Sequence, residues 1–281
     1  LMGNVAVAVH PEAEYALRQV GPNERWITLE NLAGAARNHL GAAVDPARVK
    51  QVMKGRDLEG KRYRHPLGLK EGQVVLADYV SREEGTGLVH TAPGFGAEDY
   101  ATGKQYGLEV LAPVDSQGRF VDLPEPVAQF NGKQVQEADP EVISLLKSAG
   151  HLIHAGQESH PYPHCWRCHT PIIFRATDQW FLNVEHESLR QQLLQAVEQE
   201  VRWIPPEGKE RMYGMIKTRP DWCLSRQRLW GIPIPAVECV GCGNGVLDAG
   251  VIEIFARAIE IDPEGSDRWF SEPVEKWLPS G

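Results

Sequence analysis

The sequence predicts an α+β fold: a compact β-barrel-like body with helical additions, followed by a mixed helical region carrying two cysteine knuckles. Three observations predict it. Short apolar runs of strand character recur ahead of His151, separated by glycines and turn residues. Helical patterns in that part are few and short. Beyond His151 the chain turns rich in Pro and Cys and then amphipathic. The expected division is a body over residues 1–155 and a connecting region over 156–281.

Taken in order, Val5-Ala6-Val7-Ala8-Val9 reads as a strand, as do Trp26–Leu29, Val74–Ala77 and Leu88–Thr91. The polar stretch Ser81 to Gly87 joins the last two. A short helix is expected from Ala97 to Gly107. Asp139-Pro140 supplies an N-cap and a first helical position for another, with Val142, Ile143, Leu145 and Leu146 as its apolar face and Gly150 as its terminator. His160 to Cys168 holds too much Pro and Cys for a regular element. A helix capped by Ser188 follows, with Leu189, Leu193, Val197 and Val201 at intervals of four and Pro205-Pro206 as its stop. Asp248 to Ile261 predicts a last amphipathic helix built on Ile252, Phe255 and Ile259.

Composition narrows the class. The formal net charge of −9 argues against a generally basic coat for nucleic acid and leaves room for a local patch. Such a patch lies between Arg202 and Arg228, where Arg202, Lys209, Arg211, Lys217, Arg219, Arg226 and Arg228 face only Glu207, Glu210 and Asp221. No apolar run approaches the roughly 18 residues that cross a bilayer, and no signal peptide is visible, so no membrane partner is expected. Of five cysteines, Cys165, Cys168, Cys239 and Cys242 form two C-x-x-C pairs, a metal-knuckle spacing rather than a secreted disulfide framework. A cytoplasmic protein is expected.

The most informative stretch is Gly85-Thr86-Gly87-Leu88-Val89-His90-Thr91-Ala92-Pro93-Gly94-Phe95-Gly96-Ala97-Glu98-Asp99-Tyr100. It reads as a glycine turn, a strand delivering His90, a second glycine loop, and acids opening a helix. Glycines let a ligand approach the backbone closely. Asp99 in a first helical turn sits well at the positive end of the helix dipole and can serve as a fixed anion for an amino acid's ammonium group. The bland reading stands beside it: Asp99 caps the helix and His90 fills a core position.

Here the chain resembles a known family. Gly85 to Tyr100 is similar to the editing-pocket motif of bacterial-type isoleucyl-tRNA synthetases. His160 to Phe181 resembles the segment that follows the family's editing insertion, and Arg219 to Pro235 the segment leading back to its catalytic domain. The resemblance implies an editing domain of the class I aminoacyl-tRNA synthetase kind. Asp99 then holds the α-amino group of a misacylated amino acid, and His90 lines the side-chain pocket, excluding isoleucine while admitting valine. Thr86 and the neighbouring glycines, Gly87 among them, then match the backbone around the terminal adenosine, with a purely structural role an equal alternative, and Thr91 and Gly94 are further implied substrate-binding residues. The implied partners are isoleucine tRNA mischarged with valine and the rest of the synthetase chain.

The family's threonine-rich peptide, which forms the other wall of the pocket, is absent ahead of Gly3-Asn4-Val5-Ala6-Val7. So are the ATP-site signatures HIGH and KMSKS. An excised piece of a longer enzyme is therefore expected, with ATP used only by the parent and no ATP site in this chain.

Zinc is the implied metal for Cys165, Cys168, Cys239 and Cys242. Cys168 and Cys239 stand too far apart in sequence for the common ribbon spacing, so the alternative is free thiols at an opened knuckle. Trp166 and Trp180 are assigned to packing, and His160, His164 and His169 to turns. Two other functions stay open: a tRNA-binding module that does not hydrolyse, and a structural zinc fragment of the same enzyme.

Overall fold

The computed structural model describes every residue except 33, 158, 160, 227–231, 263–264 and 280–281, and not the side chains of 34–36 and 42. His160 and Arg228, named above, lie outside the described residues. The chain divides into two compact units, Leu1–Thr177 and Asp178–Gly281.

The first unit contains, in order, β1 (Ala6–Val9), β2 (Glu14–Gly21), β3 (Glu24–Leu29), α1 (Gly34–Leu40), β4 (Val49–Lys54), β5 (Arg62–Arg64), β6 (Glu71–Leu76), β7 (Val89–Thr91), α2 (Ala97–Tyr106) and α3 (Asp139–Ser148). One sheet has the order β5-β6-β1-β7 and a second has β3-β2-β4. In the first sheet β1 runs parallel to β6 and antiparallel to β7. Ala6 and Ala8 join Val5, Val75 and Ala77 in one apolar cluster, while Val9 joins Tyr15, Leu29 and Leu58 in another. Both faces of β1 are thus covered, which is why its sequence is an unbroken apolar run instead of an alternation.

No closed barrel forms among the described residues, contrary to expectation. Closure requires strands long enough to pair and stagger around a ring. Here β5 and β7 hold three residues each, and Pro66 and Pro93, which lack an N–H, follow close behind them. The longest strand, β2, escaped the sequence reading because a charge interrupts its apolar pattern. Arg18 is only 2% exposed. Its guanidinium donates to Thr28 Oγ1 at 3.2 Å and to the carbonyls of Val44, Leu29 and Glu30 at 3.2, 3.4 and 2.6 Å, which compensates its burial.

α2 spans the predicted range and ends at Gly107, whose φ of 62° is the left-handed cap that favours glycine. α3 begins one position earlier than expected: Ala138 is its N-cap, without a side-chain bond, and Asp139 lies within the first turn. The first unit extends past residue 155. Ala176 N donates to Gly94 O at 2.7 Å, Arg175 Nη1 to Val114 O at 3.2 Å, and Ile173 packs on the cluster of Phe120, Val127 and Phe130. The contacts therefore divide the chain after Thr177.

The second unit holds β8 (Phe181–Leu182), α4 (Leu189–Gln199), α5 (Gly208–Thr218), β9 (Trp222–Cys223), β10 (Val237–Glu238), β11 (Gly245–Val246), α6 (Ala249–Ile261) and α7 (Arg268–Ser271). β8 pairs with β9 and β10 with β11, both antiparallel. α4 stops at Gln199, before Val201 and well before Pro205, and Ser188 makes no side-chain cap bond. α5 went unread because Gly208, Gly214 and scattered charge blur its periodicity. Asp248 caps α6, accepting from Gly250 N at 2.7 Å and Val251 N at 3.3 Å. Its buried face is Val251 and Phe255, with Trp277 against them; Ile252, expected inside, is 40% exposed.

Candidate functional site

Register places His90 of β7 opposite Val7 of β1. Its Nδ1 lies 2.7 Å from Nδ2 of the buried Asn4, which also donates to Ala6 O at 2.9 Å. Tyr63 of β5 donates its hydroxyl to Asn4 Oδ1. His90 is an exposed residue of β7. Desolvation on its inner side, followed by the positive N-terminus and His65, disfavours its charged form and pushes its pKa down to about 4, so it is neutral at pH 7.

Asp99 is half-buried in the first turn of α2. It does not cap the helix. Its Oδ2 accepts from Ala92 N at 2.8 Å, clasping the loop that leaves β7, while Oδ1 has no hydrogen-bond partner among the described residues. His90 and Asp99 therefore belong to one strand-to-helix connection, tied at Ala92.

The other predicted residues build its frame. Thr91 is fully buried, and its carbonyl accepts from Val5 N at 3.1 Å. Gly94 is buried where a Cβ would stand 2.1 Å from Leu111 O. Gly87, at φ 77°, leaves room for Leu29 and accepts from Tyr15 Oη at 2.7 Å through its carbonyl. Thr86 O accepts from Leu29 N at 2.9 Å. Asn4 and Tyr63 were missed by sequence reasoning. Asn4 stands 86 positions from His90, and no local spacing signals such a contact.

Near this site His65 is only 2% exposed. Its Nδ1 accepts from Leu67 N at 3.1 Å, its Nε2 lies 3.2 Å from Leu1 O, and burial lowers its pKa. Both histidines titrate lower when folded than the value near 6.5 expected of an unfolded chain. The unfolded state then binds more protons below that value, so their contribution to stability is complete above about pH 6.5 and lost as pH falls towards about 4. The urea midpoint is expected to drop across that window, and less steeply in His65→Gln. A midpoint constant from pH 7 to 4.5 would contradict this account.

Two knuckles share one turn. Cys165 N donates to Thr170 O at 2.8 Å and His169 N to Cys165 O at 2.8 Å; Cys239 N donates to Asn244 O at 2.9 Å and Gly243 N to Cys239 O at 2.8 Å. His169 and Gly243, at the same place in each, have φ of 56° and 70°. Hydrogen bonds from Thr170 lower the Cys168 thiol to about 7, and those from the Cys242 and Gly241 amides lower Cys239. Thiolates so favoured suit zinc, but the described residues hold no cluster of three or more His, Cys, Asp or Glu. Each pair fits half of a tetrahedral set. His164 is engaged in its own turn, with Nδ1 2.8 Å from Tyr162 O. Trp166, expected in packing, is 78% exposed beneath the Arg167 guanidinium.

A family model described as tRNA synthetases class I (I, L, M and V) matches residues 10–276. The chain belongs to that family. Among its relatives in the class I synthetases are the isoleucine–tRNA ligases of Thermotoga petrophila and Thermotoga maritima, each 47% identical over 281 residues, covering 99% of this chain and 30% of the relative. That of Petrotoga mobilis is 45% identical over 280 residues, covering 100% and 30%. The chain thus spans about 30% of the length of the curated relatives it matches. A solved structure described as the crystal structure of GlLeuRS-CP1 is 17% identical with a TM-score of 0.44, covering 56% of this chain and 79% of that one; so distant a likeness supports no inference. Among the described residues, no helix of this synthetase segment is long and apolar enough to cross a membrane.

Proposed function

We propose that this chain is the proofreading part of an isoleucine–tRNA ligase and hydrolyses valine from mischarged isoleucine tRNA. One observation carries the reading: Asp99, clasped through a single oxygen, and His90, neutral and accessible, share one connection in a chain that isoleucine–tRNA ligases match along nearly its whole length. The remaining Asp99 oxygen takes the ammonium of the amino acid. His90 limits side-chain size. A synthetic site distinguishes isoleucine from valine by one methylene, which a hydrophobic pocket discriminates weakly, so a second and smaller pocket is needed. The aminoacyl ester is already activated, and holding it beside an oriented water can suffice.

The partners on this reading are isoleucine tRNA and the rest of the synthetase chain, which supplies the ATP chemistry. Residues of that remainder complete zinc sites begun by Cys165 and Cys168 and by Cys239 and Cys242.

The test is hydrolysis of valyl and isoleucyl esters, both on isoleucine tRNA, by the 281-residue chain. Selective loss of valine is expected. Loss of neither ester would reduce the chain to a tRNA-binding or structural zinc segment. In His90→Ala the isoleucyl ester is expected to be cleaved at a rate within about 200-fold of the valyl ester, since one methylene in a hydrophobic pocket discriminates no better than that. An isoleucyl ester still spared would rule out His90 as the size filter.

A further inference from the structure

The polar contacts behind His90 determine which of its nitrogens carries the proton. The Ala6 carbonyl oxygen can only accept, so the Asn4 side-chain atom 2.9 Å from it is the amide nitrogen. That nitrogen also lies 2.7 Å from His90 Nδ1, and its second hydrogen is directed there. Nδ1 is therefore an acceptor. A neutral imidazole has one N–H, which must then be on Nε2. The same assignment turns Asn4 Oδ1 towards Tyr63, whose hydroxyl donates to it. Tyr63 is held in turn by the sheet: its ring lies over Gly72 of β6, where a Cβ would come within 2.3 Å of Cζ.

We propose that Tyr63 is a positioning residue that, through Asn4, holds His90 as the Nε2–H tautomer. His90 then offers the substrate a hydrogen-bond donor and has no free lone pair with which to take a proton from water. Its part in the reaction is to exclude and to donate, and the attacking water is deprotonated elsewhere. The functional half of this inference rests on the proofreading reading; the tautomer does not.

The experiment is long-range 15N–1H NMR of the histidine rings in the full chain near pH 7, with the His90 signals assigned by their loss in His90→Ala. Wild type is expected to show Nδ1 unprotonated and Nε2 protonated. Tyr63→Phe keeps the ring over Gly72 and removes one of the two contacts that orient Asn4, so only the Ala6 carbonyl then opposes a turn of the amide, and a minor Nδ1–H population is expected beside the Nε2–H form. In Asn4→Asp a carboxylate can only accept, and the Nδ1–H form should dominate. Valine deacylation should fall about three- to tenfold in Tyr63→Phe, the effect of one lost neutral hydrogen bond, about 1 kcal/mol. An Nδ1–H tautomer in wild type, or a pure Nε2–H tautomer in Tyr63→Phe, would overturn the proposal. The tautomer is read without tRNA, so the two ideas fail separately. A chain that spares both esters yet shows the Nε2–H form refutes proofreading and supports the relay. Selective hydrolysis by a chain with Nδ1–H His90 does the reverse.

Discussion

Asp99→Ala is expected to lower valine deacylation at least a hundredfold. A substrate ammonium that loses its counter-charge in a partly desolvated site forfeits about 3 kcal/mol, and each 1.4 kcal/mol is a factor of ten. On the proposed reading the carboxylate has two tasks, because Oδ2 also accepts from Ala92 N at 2.8 Å and so holds the connection that carries His90. Asp99→Asn separates them. The amide oxygen can still accept from Ala92 N while the charge is gone, so unfolding should be unchanged and activity should fall as far as in the alanine variant. An active Asp99→Asn would reduce Asp99 to a loop clasp and remove the ammonium anchor from the mechanism.

Gly94→Ala should destabilise the first unit by about 3 kcal/mol, the upper end of what overpacking costs. The new Cβ would stand 2.1 Å from Leu111 O, 2.8 Å from Leu111 C and 3.1 Å from Ala112 Cβ. The first two are backbone atoms, so no rotamer change relieves the clash. Movement of Gly94 would also strain its bond from Ala176 N. Gly107→Ala is the control: a Cβ there meets nothing within 4 Å, and the cost is that of a left-handed φ alone, about 1 kcal/mol. Urea unfolding of the two variants compares clash with backbone conformation. Equal losses would mean that the β7–α2 loop shifts freely away from Leu111.

Some of this chemistry was legible in the linear chain and some was not. β1 announced itself because a strand covered on both faces is apolar at every position, and α2 because Gly107 ends it with a conformation that favours glycine. His90 and Asp99 stood out because their motif is contiguous. β2 stayed hidden because Arg18 occupies a core position, which the Thr28 hydroxyl and the carbonyl oxygens of Val44, Leu29 and Glu30 make tolerable. Ile252 was placed inside α6 on its spacing, yet packing against Trp277 selected Val251 and Phe255.

From sequence alone came what neighbouring residues decide among themselves: the ends of α2 and α6, the apolar strand runs, the two C-x-x-C turns, and the order in which His90 and Asp99 follow each other. Tertiary structure decided that β1 lies between β6 and β7, that the sheets stay open, that residues up to Thr177 belong to the first unit, and that Tyr63 and Asn4 stand behind His90. The reason is physical. Caps and apolar periodicity are short-range effects written in adjacent residues, whereas a buried polar atom must find its partner wherever the fold brings one. For His90 that partner is 86 positions away.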